Sequence, residues 1–371
     1  MSPASPPTAE RLRSLFDTTE PLTVGVEEEV MVLDPETLDL APDAEAVLEL
    51  FDGDARLKRE LPAAQVEIVT APAASTAEAV AAVEAGRRDL CARAGARWRF
   101  GAAGVHPFAA PEGVLSGHES YAETRSRYGR VARRQLVFAL QVHVAVGGAE
   151  RTLAVYNALR SYLPELSALA ANSPWHDGRD SEFASVRPMV SDALPRQGVP
   201  PALRSWDEYA AALAWGAAAG AFEPRVWWWE LRPHVSLGTL EVRVPDAQTT
   251  LADAAGVVAF THALVAWLAE RHDAGEPLPV APRWKIEENR WVAARDGVDG
   301  VLADLETGSR EPARARLLSL IDAVEPAARR VGADAFLDAA RALAEQNGAV
   351  RQRAAGDARA AAAAIADGFL G

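Results

Sequence analysis

Two carboxylates, Glu27 and Glu29, fall two residues apart in 23-TVGVEEEVMV-32, a run whose flanking alternate positions are valines. Side chains alternate faces along a β-strand, so Val24, Val26, Val30 and Val32 share one face and Glu27 and Glu29 share the other. Carboxylates spaced that way sit roughly 6–7 Å apart at the Cα level, a separation that suits bridging hard cations such as Mg²⁺. Two solvated glutamates on an exposed sheet face is the plain alternative. Glu28 falls on the apolar face and is not expected to be a ligand.

Three more stretches repeat the design. In 65-QVEIVT-70, Val66 and Ile68 oppose Gln65 and Glu67. In 136-LVFALQVHVAV-146 an unbroken apolar edge leaves Gln141 and His143 opposite. In 239-TLEVRV-244, Leu240, Val242 and Val244 oppose Glu241 and Arg243. Joined in one sheet, these strands give a core face and an acidic face around a histidine. Carboxylates gathered so closely repel one another unless a cation sits among them. The pattern therefore predicts a multi-metal, phosphate-handling site.

Each residue also carries a structural reading. A lone carboxylate mid-strand, as at Glu67 or Glu241, is costly unless paired. Arg243 is the obvious partner of Glu241, and its fork equally suits a phosphate. Glu60, just before the Glu67 strand, is the weakest metal candidate. His143 is either a ligand or a hydrogen-bonded core residue. Glu230 and Arg232 share a strand face, as an ion pair or as substrate contacts. Arg179, Asp180, Ser185 and Arg187 form either a substrate-carboxylate loop or a solvated one. Lys285, Asn289, Arg290 and Arg295 fall at spacings that share a helix side, facing phosphates or serving as caps and ion pairs. The chain contains no GxxxxGK[ST] loop, GxGxxG, CxxC or HExxH. Cys91 reads as a buried structural thiol.

The elements that must position these groups can be read in outline. At 371 residues the chain can bury a substantial core. Its net charge of −14 and isoelectric point near 5.1 argue against wrapping nucleic acid or an anionic membrane. A single cysteine excludes an internal disulfide and fits a reducing compartment, and the first residues lack the apolar core of a signal peptide. No stretch approaches the roughly 20 apolar residues of a membrane span, so a cytoplasmic protein is expected. Residues 1–19 read as a flexible lead-in and 20–371 as one domain. Helices are expected near 42–52, 76–95, 150–171, 206–221, 251–273, 298–306, 311–330, 333–347 and 350–368. The segments 226–234 and 239–244 read as a hairpin. Hairpin-linked strands with long helical excursions predict an α+β fold, an antiparallel sheet with helices on one side.

Seven segments together resemble a known family. The run 24-VGVEEEVMVLDP-35 is similar to the opening of the carboxylate–amine ligases known as glutamate–cysteine ligase type 2. So are 66-VEIVT-70, 104-GVHPFA-109, 141-QVHVAV-146, 173-SPWHDGRDSEFASVRP-188, 227-WWWELRPHVSLGTLEVRVPDAQTT-250 and 288-ENRWVAARDG-297, in family order. The resemblance implies a sheet related to glutamine synthetase and guanidino kinases, with ATP and Mg²⁺ on its concave face. It implies that ATP phosphorylates a carboxylate, typically the γ-carboxylate of glutamate, and that an amine, by default cysteine, displaces phosphate to form an amide.

By matching position, Glu27, Glu29, Glu67 and Glu241 would hold Mg²⁺, with Glu60 and His143 as further metal candidates. Glu27, Glu241 and Arg243 would carry the chemistry, Arg243 sitting on the transferring phosphoryl group. Arg187, Arg232 and Glu230 would contact substrate, and Arg243, Lys285, Asn289 and Arg295 the nucleotide. Partners would be a small acid and a small amine, with a homodimer allowed but no interface signature to fix it. The family often shows His-x-His where this chain has Gln141-Val-His143, which would put a neutral oxygen donor in place of a histidine. Ala145 stands where the family has the smaller Gly. Two other readings keep the fold: phosphotransfer to a guanidino-type acceptor, and a non-catalytic nucleotide- or partner-binding descendant.

Overall fold

The computed structural model describes residues 6–220 and 227–371. Seven strands make its main sheet: β1 (Val24–Leu33), β2 (Leu57–Arg59), β3 (Gln65–Val69), β4 (Arg99–Gly101), β5 (Leu140–Val144), β6 (Leu231–His234) and β7 (Thr239–Val242). They lie in the order β2-β3-β1-β5-β7-β6, with β4 paired to the far end of β1. Every pairing is antiparallel. All four stretches singled out by alternation therefore join one sheet, and the α+β expectation holds.

The valine face of that sheet is core. Val24, Val26, Val142, Val144, Leu240 and Val242 are buried together with Phe260, Leu264 and Leu268 of helix α4, which is defined below. Each such side chain contributes roughly 1.5–3 kcal/mol when fully removed from water. A second cluster covers the other end of β1, where Met31 and Leu33 meet Phe100, Ile365 and Phe369. Around these clusters stand helices α1 (Ala9–Thr18), α2 (Thr76–Ala94), α3 (Ala122–Arg133), α4 (Leu251–Asp273) and α5 (Arg283–Asp296). The N-caps follow from local chemistry: Ser75 accepts from the Glu78 N–H and Thr250 from the Asp253 N–H, satisfying donors that a helix start leaves orphaned.

Glu28 turns away from its neighbours, as alternation requires, and is fully buried. Its oxygens accept from Arg87 of α2 at 2.6 and 2.8 Å, and Arg87 also donates to the carbonyls of Gln248, Thr249 and Phe369. A buried charge is tolerable when paired and hydrogen-bonded in this way.

Several expectations need correction. Residues 9–18 of the expected lead-in form α1, because Leu12 and Phe16 bury on the core. The helix expected over 150–171 is broken by a 3₁₀ turn at Arg160–Tyr162, with Pro164 opening the next segment. Residues 298–306 do not form an α-helix: a 3₁₀ turn over Gly297–Asp299 leads into Val301–Ala303, which pairs with Arg310–Pro312 as a small hairpin. The helix expected over 350–368 divides into Gly348–Ala354 and Ala358–Asp367, with Gly356 at φ +105° between them. Part of the expected strand 226–234 lies outside the described residues. Among the described residues one stretch is long and apolar enough to cross a bilayer, α4, but 83% of its apolar window is buried inside the protein. Its apolar length serves the core.

Candidate active site

The register lays the polar face out in rows. One row runs Arg232 on β6, Glu241 on β7, His143 on β5 and Gly25 on β1. Gly25 has no side chain to crowd the histidine. The next row opposes Gln141 to Glu27, and a third opposes Lys58 and Glu29 to either side of Glu67. Like charges directly opposed across strands are destabilising, so this face is built at a cost in stability.

The tightest cluster of metal-ligating groups among the described residues is Glu27, His143 and Glu241, each offering one atom within 4.8 Å of the others. His143 Nδ1 sits 3.1 Å from the Thr239 hydroxyl, while its buried Nε2 has no hydrogen-bond partner. The nearest carboxylate oxygen to that atom belongs to Glu27, at 3.7 Å, beyond hydrogen-bond reach. An imidazole held at one nitrogen with the other aimed among carboxylates is the arrangement of a metal-binding histidine. These residues fit a divalent cation.

Glu241 is also an ion-pair centre, accepting from Arg232 at 2.5 and 3.0 Å and from Arg243. Burial pushes its carboxyl up, but the two guanidiniums outweigh that and hold it well below the usual range. Gln141 joins Glu29 to Arg243: its amide donates to Glu29 at 3.0 Å and its oxygen accepts from Arg243. The oxygen expected to stand in for a histidine ligand is thus taken by Arg243. Glu29 accepts in addition from the Ala139 N–H at 2.5 Å. Of the β1 pair, Glu27 is the one left facing the cluster.

Of the remaining carboxylates, Glu29, Glu60 and Glu67 have too little positive charge near them. Lys58 stands 3.8 Å from Glu27 and 3.7 Å from Glu67. Burial raises Glu29, and burial with Glu60, Glu27 and Glu29 nearby raises Glu67 well above the usual carboxylate range. Glu60 keeps some contact with solvent, yet protein crowds its carboxyl and Glu29 stands near, pushing it up to about 8. At Glu27 burial acts upward, but His143 and Lys58 bring the net shift below the ordinary value. The ring of His234 lines the same cleft and is driven down to about 4, chiefly by burial.

Two adjoining cavities open on this face. The larger, about 460 Å³, is walled by Glu27, Glu67, Lys58, Tyr121, Arg232 and His234. The smaller, about 130 Å³, is walled by Gln65, Gln135, Arg187, Glu230 and Arg290. Glu29, Glu60, Trp228 and Arg243 line both. Trp228 meets Tyr128 of α3 edge-on at 5.6 Å, which brings α3 over the larger cavity.

The structure divides the candidate residues. Glu27, Glu29, Glu60, Glu67, Glu241 and Arg243 come together with His143, and Arg187, Arg232 and Glu230 border the same space. Glu230 and Arg232 do not pair with each other: Glu230 accepts from Arg290 at 2.6 Å, and its second oxygen is buried without a partner. Arg187 is fixed by Asp246 at 2.8 Å and by the Arg243 and Val244 carbonyls. Asp246 also accepts from the Asn172 N–H and the hydroxyls of Ser173 and Ser185. Arg179 and Asp180 stay on an exposed two-residue ladder, where Asp180 pairs with Arg353.

Lys285, Asn289 and Arg295 do not reach the cleft. Lys285 donates to the Leu305 carbonyl at 2.6 Å, Asn289 ties both amide atoms to the Ala303 backbone, and Arg295 is exposed. Helix α5 sends Arg290 inward instead. Sequence reasoning missed Lys58, Tyr121, Trp228 and His234. The triplet 57-LKR-59 is too short for a period, and Trp228 and His234 carried no charge pattern.

Fold and site together define an α+β protein with a carboxylate-lined cleft suited to cations and phosphates. The chain belongs to glutamate–cysteine ligase family 2, whose profile matches residues 23–367. A relative from Rubrobacter xylanophilus, provisionally named glutamate–cysteine ligase 2-3, is 38% identical over 92% of this chain and 94% of its own. A Corynebacterium glutamicum relative, provisionally named glutamate–cysteine ligase 2, is 34% identical over 89% and 90%. Among solved structures, the glutamate–cysteine ligase of Francisella tularensis in complex with AMP superposes with a TM-score of 0.66 at 13% identity, covering 95% of this chain and 89% of that one. A bifunctional glutathione synthetase from Pasteurella multocida gives 0.60, also at 13%, over 97% and 52%. At that identity the likeness is one of fold.

Proposed function

We propose that the protein is an ATP-dependent carboxylate–amine ligase that activates the γ-carboxylate of glutamate and couples it to an amine, with cysteine the first to test. The observation that carries this reading is the Glu27, His143 and Glu241 cluster with its unpartnered Nε2, set in the cleft of a family member. In the reaction a carboxylate oxygen attacks the γ-phosphorus of ATP and ADP leaves. The amine nitrogen then attacks the acyl carbon, phosphate leaves and the amine loses a proton. No enzymic nucleophile is required, so positioning and charge neutralisation supply the catalysis.

The chain's residues divide that work between the two cavities. The larger is of the size that holds a nucleotide's phosphates, and Arg243, braced by Glu241 and Gln141, presents its fork at the border of both. Arg187, paired with Asp246, and Arg290, paired with Glu230 and Asp192, border the smaller cavity with their guanidiniums, where an amino-acid carboxylate would dock. Glu27, His143 and Glu241 would hold Mg²⁺, with Glu67, Glu29 and Glu60 behind them. When bound there, the ion would neutralise phosphate charge and polarise the transferring group. We also read the sheet as kin to those of glutamine synthetase and guanidino kinases, supported by its antiparallel strands and single carboxylate-bearing face.

The test is to supply ATP, Mg²⁺ and glutamate with a panel of amines including cysteine, following ADP and identifying products by mass spectrometry. Amide that disappears in Glu27→Gln supports the ligase. A phosphorylated acceptor without amide would replace it with a phosphotransferase, and nucleotide binding without product would point to another acid or to a binding role.

A further inference from the structure

The hairpin turn between β6 and β7, 234-HVSLG-238, carries a histidine with no role so far. His234 Nδ1 accepts from two backbone groups of its own turn, the N–H of Leu237 at 3.2 Å and of Ser236 at 3.4 Å. A ring nitrogen facing two N–H donors must present a lone pair, so the ring proton sits on Nε2. The ring lines the larger cavity and meets His143 edge-on at a centroid distance of 5.6 Å.

The two histidines are thereby given opposite chemistry. His143 is held at Nδ1 by Thr239 and has an unpartnered Nε2 available to a cation. His234, held as an acceptor at Nδ1, offers an N–H and cannot ligate through Nε2 in that tautomer. The turn is itself anchored. Gly238 has φ +69°, and a Cβ there would lie 2.4 Å from the Thr19 hydroxyl, so the turn sits directly on the end of α1. Thr19 bonds the Leu15 carbonyl at 2.8 Å and reaches the Gly238 carbonyl at 3.4 Å.

We propose that His234 is a neutral hydrogen-bond donor to a phosphoryl oxygen of the nucleotide, resting on the proposed function only for the choice of ligand. An N–H fixed by a backbone turn needs no reorganisation when charge develops on that oxygen, the condition under which a single donor matters most. Such a residue touches the reacting group and differs in kind from the carboxylates around it.

The tautomer can be read directly. Long-range ¹H–¹⁵N spectra of the full chain, assigned with His234→Gln, are expected to show His234 protonated at Nε2 and not at Nδ1. Adding Mg²⁺ with a non-hydrolysable ATP analogue is expected to move the Nε2 signal. In turnover, His234→Ala is expected to lose about 10²-fold in kcat with the KM for the acid unchanged. His234→Gln, which places an amide N–H at similar reach, is expected to recover most of that loss. A ring protonated at Nδ1, or an Nε2 signal that stays fixed while calorimetry shows the analogue binding, overturns the proposal. Failure to ligate glutamate to any amine while the signal still moves would sink the ligase and leave His234 as a phosphate donor. A wild-type chain that binds no nucleotide overturns both.

Discussion

Three consecutive glutamates on one strand meet opposite fates. Glu28 faces the core, where Arg87 grips both its oxygens and three carbonyls complete the guanidinium's bonds. Glu27, one residue before, faces carboxylates and a histidine, with Lys58 the nearest ammonium at 3.8 Å. The residue type is the same and burial is substantial on both sides. Compensation is what differs. A carboxylate gripped by one dedicated guanidinium serves structure, and one balanced only by a histidine and a lysine beyond hydrogen-bond reach is held ready for something that arrives from outside.

The comparison can be broken most forcefully at Glu28. Glu28→Gln leaves Arg87 buried without its counter-charge, and breaking such a pair typically costs about 3–5 kcal/mol. Chemical denaturation should show that loss, with activity per folded molecule retained. A Glu28→Gln protein as stable as the parent would erase the distinction between the two faces.

Glu27→Gln should do the reverse. Ligation is expected to fall about 10²–10³-fold, while the melting temperature moves far less than in Glu28→Gln, because the repulsion lifted from Glu29 and Glu67 offsets the lost attraction of His143 and Lys58. A large drop in stability at Glu27 would show it to be structural after all.

A smaller effect sharpens the contrast through pH. Glu60 and Glu67 have folded-state values raised above the unfolded range, so the folded chain binds more protons than the unfolded one. Their contribution is complete below the unfolded value of about 4.3 and is lost as pH rises through the folded values, about 8 for Glu60. Glu27 and Glu241 are shifted downward, so their contribution changes only under more acidic conditions. In the presence of a chelator the melting temperature should therefore decline from mildly acidic to mildly basic pH. Millimolar Mg²⁺ should flatten that decline, and a decline unaltered by Mg²⁺ would count against a cation among these carboxylates. Smallest of all, Lys285→Met should leave turnover within about 2-fold, since the lost bond to Leu305 is worth only about 1 kcal/mol.

Much of this site was legible because strands have a period of two. Residues from Glu27 to Glu241 were assigned to one face by alternation alone, and the register of β1, β3, β5 and β7 brings them together. The pairing across distance was not legible. Nothing local announces that Arg87 meets Glu28 or that Asp246 orients Arg187, because those contacts depend on how helix and sheet dock. Helix α5 shows the limit clearly. Its period identifies sides without saying which meets the cleft, and the residue that lines it is Arg290, about 100° round the helix from the buried Asn289. His234 was hidden for another reason: its chemistry lies in the tautomer, which only the turn's backbone geometry sets.

The Arg87 contact with the Phe369 carbonyl has a consequence for how the protein is made. Strand β1 leaves the ribosome well before helix α2 and the rest of the sheet, yet the group that clamps Glu28 is completed by a residue 341 positions later. At about 5–20 residues per second, roughly 15–70 s separate the synthesis of the strand from that of its last anchor. Through that interval a triplet of glutamates sits on an unfinished sheet. The cleft can be set in its final form only once Phe369 has emerged, so a nascent chain should be slow to acquire it however early the strands are present.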